Sequence, residues 1–114
     1  MTIKTISGGG RFEKAGSYSR VKRVGPFVFV AGLTAMQSTG KVYAPYDIYE
    51  QTRFIFDKIE DLLDEAGAKM RHIVRTKAFL SDMREASGFI RCHGEVFQGI
   101  EPVLTGVEAG LTTP

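Results

Sequence analysis

The sequence predicts a single α+β domain in which two amphipathic helices cover one face of a mixed sheet. Three observations carry that expectation. Strand-like and helix-like patterns follow one another in the order strand, strand, helix, strand, helix, strand. The second strand-like segment, Phe27-Val28-Phe29-Val30, is apolar on both faces. The chain has 114 residues, 43% of them hydrophobic and 25% charged, enough for one core and no second. Two helices on one face leave the opposite face to water or to another subunit, and the doubly apolar strand argues for a subunit.

The first residues, to about 15, read as an irregular lead-in, because Gly8-Gly9-Gly10 maximises backbone freedom. A phosphate loop is not expected, since the sequence predicts no strand before the glycines and no Gly-Lys-Ser/Thr follows them. Tyr18 to Val24 and Phe27 to Ala31 flank Gly25-Pro26 and form a hairpin. Asp47 opens a helix, with Glu50 three residues on to complete a capping box. Ile48, Thr52, Ile55, Phe56, Ile59, Leu62, Leu63 and Ala66 recur at helical spacing until Gly67. His72 to Leu80 alternates as a strand, with Val74, Thr76, Ala78 and Leu80 on one face and Ile73, Arg75, Lys77 and Phe79 on the other. Asp82 and Glu85 repeat the cap signal. Ala86, Phe89, Ile90, His93, Val96, Phe97 and Ile100 then form a second apolar stripe, which must be held by packing because Gly88 and Gly94 weaken the helix. In the final strand, Val103 to Ala109, the face bearing Leu104, Gly106 and Glu108 is expected to lie away from the helices.

A net charge of +2 predicts neither a nucleic-acid nor a membrane partner. Arg20, Lys22 and Arg23 read as a solvated strand rather than a phosphate-binding stripe. Cys92 is the only cysteine, so no intramolecular disulfide forms, and a reducing, cytoplasmic setting is expected. No apolar run reaches the roughly 18 residues of a membrane span. Two histidines without ligand spacing predict no metal, and no motif predicts another cofactor. Cys92 and His93 are adjacent in a helix, where neighbours point about 100° apart, so they do not form a nucleophile-base pair. His93 is expected to be a packed helix residue and His72 to lie near solvent. Asp57, Glu60, Asp61, Asp64 and Glu65 form a solvated helix face.

Five pieces occur in an order and spacing that resemble the RidA/YjgF family, also described as endoribonuclease L-PSP. They are Gly16-Ser17-Tyr18-Ser19, Val24 to Gly32, Gln51-Thr52-Arg53, Ala66-Gly67-Ala68 and Ile73 to Met83, and Glu101 to Ala109 is similar to the family's Pro-Ala-Arg-Ser/Thr strand. The resemblance implies a chorismate-mutase-like fold, a homotrimer with sheets inside and helices outside, and ligand clefts between subunits. It implies hydrolysis of imines, enamines or related C–N bonds, and it places Tyr18 at the cleft mouth. The family's serine, helix asparagine and carboxylate-binding arginine correspond to Ala31, Ile90 and Leu104, and the next cleft residue to Gly106. A further family strand, bearing a glutamate that positions water, would follow Pro114.

The implied trimer would cover Ile73, Arg75, Lys77, Phe79, Leu104, Gly106 and Glu108, with Glu108 paired to Arg75 or Lys77. An arginine fork binds a carboxylate through two charge-assisted hydrogen bonds that Leu104 cannot offer. The expected substrate therefore lacks the usual carboxylate, unless Arg11, Arg20 or Arg75 supplies a cation from another direction. Three classes of function are open: a C–N hydrolase, a non-catalytic trimer binding a small metabolite or a partner, and, last, a ribonuclease or translation inhibitor.

Overall fold

An 18-residue helix sits at the centre of the molecule and serves two separate sheets. The computed structural model describes residues 2–114. Along the chain they form β1 (Ile3–Ile6), α1 (Arg11–Gly16), β2 (Val21–Val24), β3 (Phe27–Val30), α2 (Ile48–Glu65), β4 (Arg75–Leu80), α3 (Ala86–Val96) and β5 (Val103–Glu108). Short 3-10 turns over Met70–His72 and Met83–Glu85 precede β4 and α3. No helix among the described residues is long and apolar enough to cross a membrane.

The α+β class holds, but the sheet is divided. β1, β2 and β3 form an antiparallel sheet in that order, whereas β4 and β5 form a separate parallel pair. Gly25, at φ +56°, makes the tight β2–β3 turn in a conformation that a side chain disfavours. The parallel pair needs a crossover, and α3 supplies it.

The expected irregular lead-in is corrected by β1 and α1. Ile6 pairs with Val21, and both are buried against Ala66 of the α2 end, so a short alternating segment is held by the strand beside it. Glu13 fixes the glycine run. Its carboxylate accepts from the Gly8 N–H at 2.9 Å and the Gly10 N–H at 3.2 Å.

Asp47 caps α2 by accepting from the Glu50 N–H at 3.1 Å. The reciprocal half of the box is not made, because the Asp47 N–H already donates to the Ala44 carbonyl. Gly67, at φ +80°, ends the helix. Along α2, Phe56 and Ile59 join Leu80, Phe89 and Phe97 in one core, while Leu62 and Ala66 join Ile6 and Val21 in another. α2 and α3 approach closely at Gly88, where a Cβ would lie 2.6 Å from Ile48 Cγ2.

Three elements begin later than the sequence suggests. β2 starts at Val21 rather than Tyr18, because α1 and its left-handed Ser17 end occupy the preceding residues. β4 starts at Arg75 rather than His72, since His72 belongs to a turn in which its Nδ1 accepts from the Lys69 N–H at 3.0 Å. α3 starts at Ala86, because Asp82 caps the preceding 3-10 turn through the Arg84 N–H.

The β4–β5 register overturns one face assignment. Thr76 pairs with Leu104, Ala78 with Gly106 and Leu80 with Glu108, and laterally paired residues in a sheet share a face. Leu80 is buried beneath Phe89 and Phe97. Leu104, Gly106 and Glu108 therefore lie on the helix side, and Arg75, Lys77 and Phe79 share the outer face with Val103, Thr105 and Val107. Alternation within each strand is legible in the sequence, whereas the phase between strands depends on register, where a one-residue slip exchanges the faces.

Candidate functional site

Two places bring together residues expected from the sequence. The first surrounds Leu104. β5 carries it to the helix side at the C-terminal end of α3, where it lines an open depression with His93, Gly94, Phe97, Gln98, Gly99, Glu101 and Pro102. His93 is held by its neighbours: Nε2 lies 2.8 Å from Thr76 Oγ1, and the imidazole packs among Phe56, Phe89 and Phe97. Burial lowers the His93 pKa below the usual histidine value, so the ring is neutral at neutral pH. Glu101 is the one charged lining residue, and it sits at φ +53°, a conformation that costs a non-glycine residue on the order of 1 kcal/mol or more. The depression thus combines an apolar wall, a neutral imidazole and a carboxylate.

The second place surrounds Tyr18. Its ring lies 5.8 Å from the Arg20 guanidinium, and it borders a shallow depression beside Gly9, Gly10, Arg11 and Lys14. Arg20 donates to the Gly32 carbonyl and lies 3.5 Å from Glu13 Oε2. The Gly8 N–H bond, then those of Gly10 and the charge of Arg20, hold the Glu13 carboxyl below its ordinary pKa against the opposing effect of burial. Ala31, just beyond β3, donates its N–H to the Arg20 carbonyl. Tyr18, Arg20 and Ala31 are therefore gathered by the end of the β2–β3 hairpin.

The remaining candidates do not join either group. Arg75 and Lys77 are exposed on the outer sheet face, Lys77 with its Nζ 5.4 Å from the Phe79 ring. Ile90 is 54% exposed rather than part of the buried stripe, since Phe89, Cys92 and His93 centre that stripe on the other flank of α3. Gly106 is open, and a Cβ there would meet nothing within 4 Å. Glu108 accepts from the Met83 N–H at 2.8 Å and makes no ion pair with Arg75 or Lys77 among the described residues. That pairing fails for the same reason as the face assignment, because the residues lie on opposite sides of the sheet.

Cys92 is fully buried, and burial raises its thiol pKa, which suits packing rather than nucleophilic attack. Two polar residues escape the sequence reading. Thr76 is expected on the inward face without a partner, although a polar side chain on a buried strand face is itself a signal that one exists. Lys58 lies off the apolar stripe of α2, among its charged residues, yet it is half-buried and donates to the Met36 carbonyl at 2.9 Å.

Comparisons with known proteins converge on one family. The family model for endoribonuclease L-PSP matches residues 9–114. A RutC family protein of Pyrococcus abyssi is 33% identical over 94 residues, covering 82% of this chain and 73% of that protein. Among solved structures, Rv2704 from Mycobacterium tuberculosis, described as a member of the YjgF/YER057c/UK114 family, is 35% identical with a TM-score of 0.87, covering 99% of this chain and 90% of that one. A protein of unknown function from the conserved Rid family, YyfA of Yersinia pestis, shares the fold at 24% identity and a TM-score of 0.85, covering 97% of this chain and 90% of that one.

Proposed function

This chain belongs to the endoribonuclease L-PSP family, which includes the YjgF and Rid proteins, and from that membership we propose a C–N hydrolase whose substrate carries no carboxylate at the Leu104 position. The reaction class is addition of water to an imine or enamine, releasing an amine or ammonia. The observation that carries the reading is the lining of the Leu104 depression. The leucine offers no cation, and Glu101 would repel an anionic substrate. A neutral or cationic imine fits that lining better than an amino-acid-derived one. Leu104 and Phe97 supply the apolar wall.

Amine release from neutral imines and from amino-acid-derived imines tests the proposal. The expected result is turnover of the neutral set only. Leu104→Arg should raise kcat/KM for the carboxylate-bearing set by about ten- to hundredfold, the range for a gained charge-assisted contact of about 1.5–3 kcal/mol. Family-like turnover of carboxylate-bearing imines by the unmodified protein would defeat the proposal.

A homotrimer in the cytoplasm, with clefts between its subunits, completes the reading. Phe27 and Phe29, each 63% exposed on β3, support burial of the exposed face of the β1–β3 sheet against another copy. The same face supports a second reading, a non-catalytic trimer that binds a small molecule or a partner. The ribonuclease activity in the family's description has the least support, since Arg20 and Arg23 are already committed to Glu13 and to the carbonyls of Gly32, Gly25 and Ala66.

A further inference from the structure

The C-terminal ends of the two long helices are treated differently. At the end of α2, Lys4 donates to the Glu65 carbonyl and Arg23 to the Ala66 carbonyl. At the end of α3, the carbonyls of Gly94, Glu95 and Val96 accept no hydrogen bond among the described residues. The basic residue of that last turn, His93, is buried and neutral. Gly94 and His93 line the Leu104 depression, and no cation lines it with them. The negative end of the α3 dipole is therefore left uncompensated where it borders that depression.

Glu101 adds a full negative charge to the same wall, and its carboxylate makes no ion pair among the described residues. Its backbone is fixed, because the Phe97 carbonyl accepts from the Ile100 N–H at 2.9 Å and from the Glu101 N–H at 3.0 Å. Glu101 holds φ +53° directly before Pro102, although a proline drives the preceding residue towards extended backbone with negative φ. A turn alone would be served better by glycine, which adopts positive φ without strain, as Gly99 does two residues earlier at +81°. The fold thus bears backbone strain to present a carboxylate that no residue of the chain uses.

We propose that Glu101 determines specificity by selecting an imine that carries an alkylammonium group. The ammonium sits between the Glu101 carboxylate and the end of α3, and the alkyl chain lies on Leu104 and Phe97. Glu101 recognises charge and takes no part in the bond changes. The proposal rests on the C–N hydrolase reading and narrows its substrates, since imines of equal length without the ammonium become the poorer ones.

Two imines of equal length, one ending in an ammonium and one in a methyl group, test the selection. The expected KM is about three- to tenfold lower for the ammonium imine, the combined effect of one exposed ion pair and a helix terminus. Glu101→Gln should abolish that difference and leave kcat for the methyl imine unchanged. Glu101→Gly should abolish it too, while raising the melting temperature by relieving the strain. A second measurement needs no turnover: n-butylammonium and, separately, butyrate are titrated into the isotopically labelled protein and followed by NMR. Only n-butylammonium should give a saturable shift of the Leu104 methyl and Gly99 amide resonances, and Glu101→Gln should weaken it by about the same factor. If neither imine is hydrolysed but this binding persists, the cation site stands and the hydrolase reading falls. Equal KM for the two imines, or n-butylammonium binding unchanged in Glu101→Gln, would overturn the role of Glu101 and leave the hydrolase reading intact.

Discussion

The two ends of α2 face cores of different chemistry. Towards its N-terminal part, beneath β4 and β5, the core is aromatic: Phe97 meets Phe56 edge-on at 5.0 Å and His93 at 4.6 Å. Towards its C-terminal part, beneath β1, β2 and β3, the core is small and aliphatic, built on Ile6, Val21 and Ala66. That half is reinforced by cations. Arg23 donates to the Ala66 carbonyl at 2.7 Å and Lys4 to the Glu65 carbonyl at 2.6 Å, where the helix leaves carbonyls without partners and its dipole favours positive charge. One sheet is held by packed rings and the other by a helix terminus, so different substitutions should damage them.

Deleting a ring should have the largest effect. Phe97→Ala is expected to cost about 3–5 kcal/mol in urea unfolding, against roughly 2–3 kcal/mol for Ile6→Ala, because the aromatic site leaves the larger cavity. Equal losses would mean that the two cores are one unit. Arg23→Met keeps the aliphatic stem and removes the donors, and should cost about 1.5–3 kcal/mol. The corresponding change in the other half, Thr76→Val, strips His93 of its partner and should cost about 1–3 kcal/mol.

Acid should separate the halves. His93 has a folded pKa below its unfolded value, so the unfolded chain binds the proton first, and stability falls as pH drops below about 6.5 towards the folded value. Glu13, also depressed, contributes fully above the ordinary carboxylate range, and its share is lost only as pH falls through its folded value. Thermal unfolding followed against pH should show two steps, and His93→Gln should remove the upper one. The smallest effect is a gain. Gly94→Ala meets nothing within 4 Å and should stabilise α3 by up to about 1 kcal/mol, confined to the aromatic half.

The same contrast separates what can be read in the sequence from what cannot. α2 is legible nearly to the residue, because Asp47, the apolar spacing and Gly67 are local signals. The hairpin is legible through Gly25-Pro26. β1 is not, since four residues of mixed character become a strand only beside β2. The site is half legible. Tyr18, Ala31 and Leu104 stand out, but strand alternation alone puts Leu104 on the wrong side, because lateral register is a property of two segments separated by α3. Lys58 is hidden for a related reason: its place on the charged flank of α2 says nothing of the loop that folds over it.

The assembly proposal can be tested by the same logic. Glu108→Ala should leave the sedimentation coefficient unchanged, since Glu108 serves the Met83 N–H, whereas Phe29→Asp should shift the protein towards monomers.

β3 lies at the edge of its sheet and reads Phe-Val-Phe-Val, without a charge or a proline. The other edge strands carry gatekeepers: Lys4 on β1, Arg75 and Lys77 on β4, and Glu108 on β5. A short, uncharged run of high β-propensity with a free edge is the pattern from which aggregates nucleate. A further strand or a second copy laid along that edge would remove the hazard, which is greatest wherever those four residues stand uncovered.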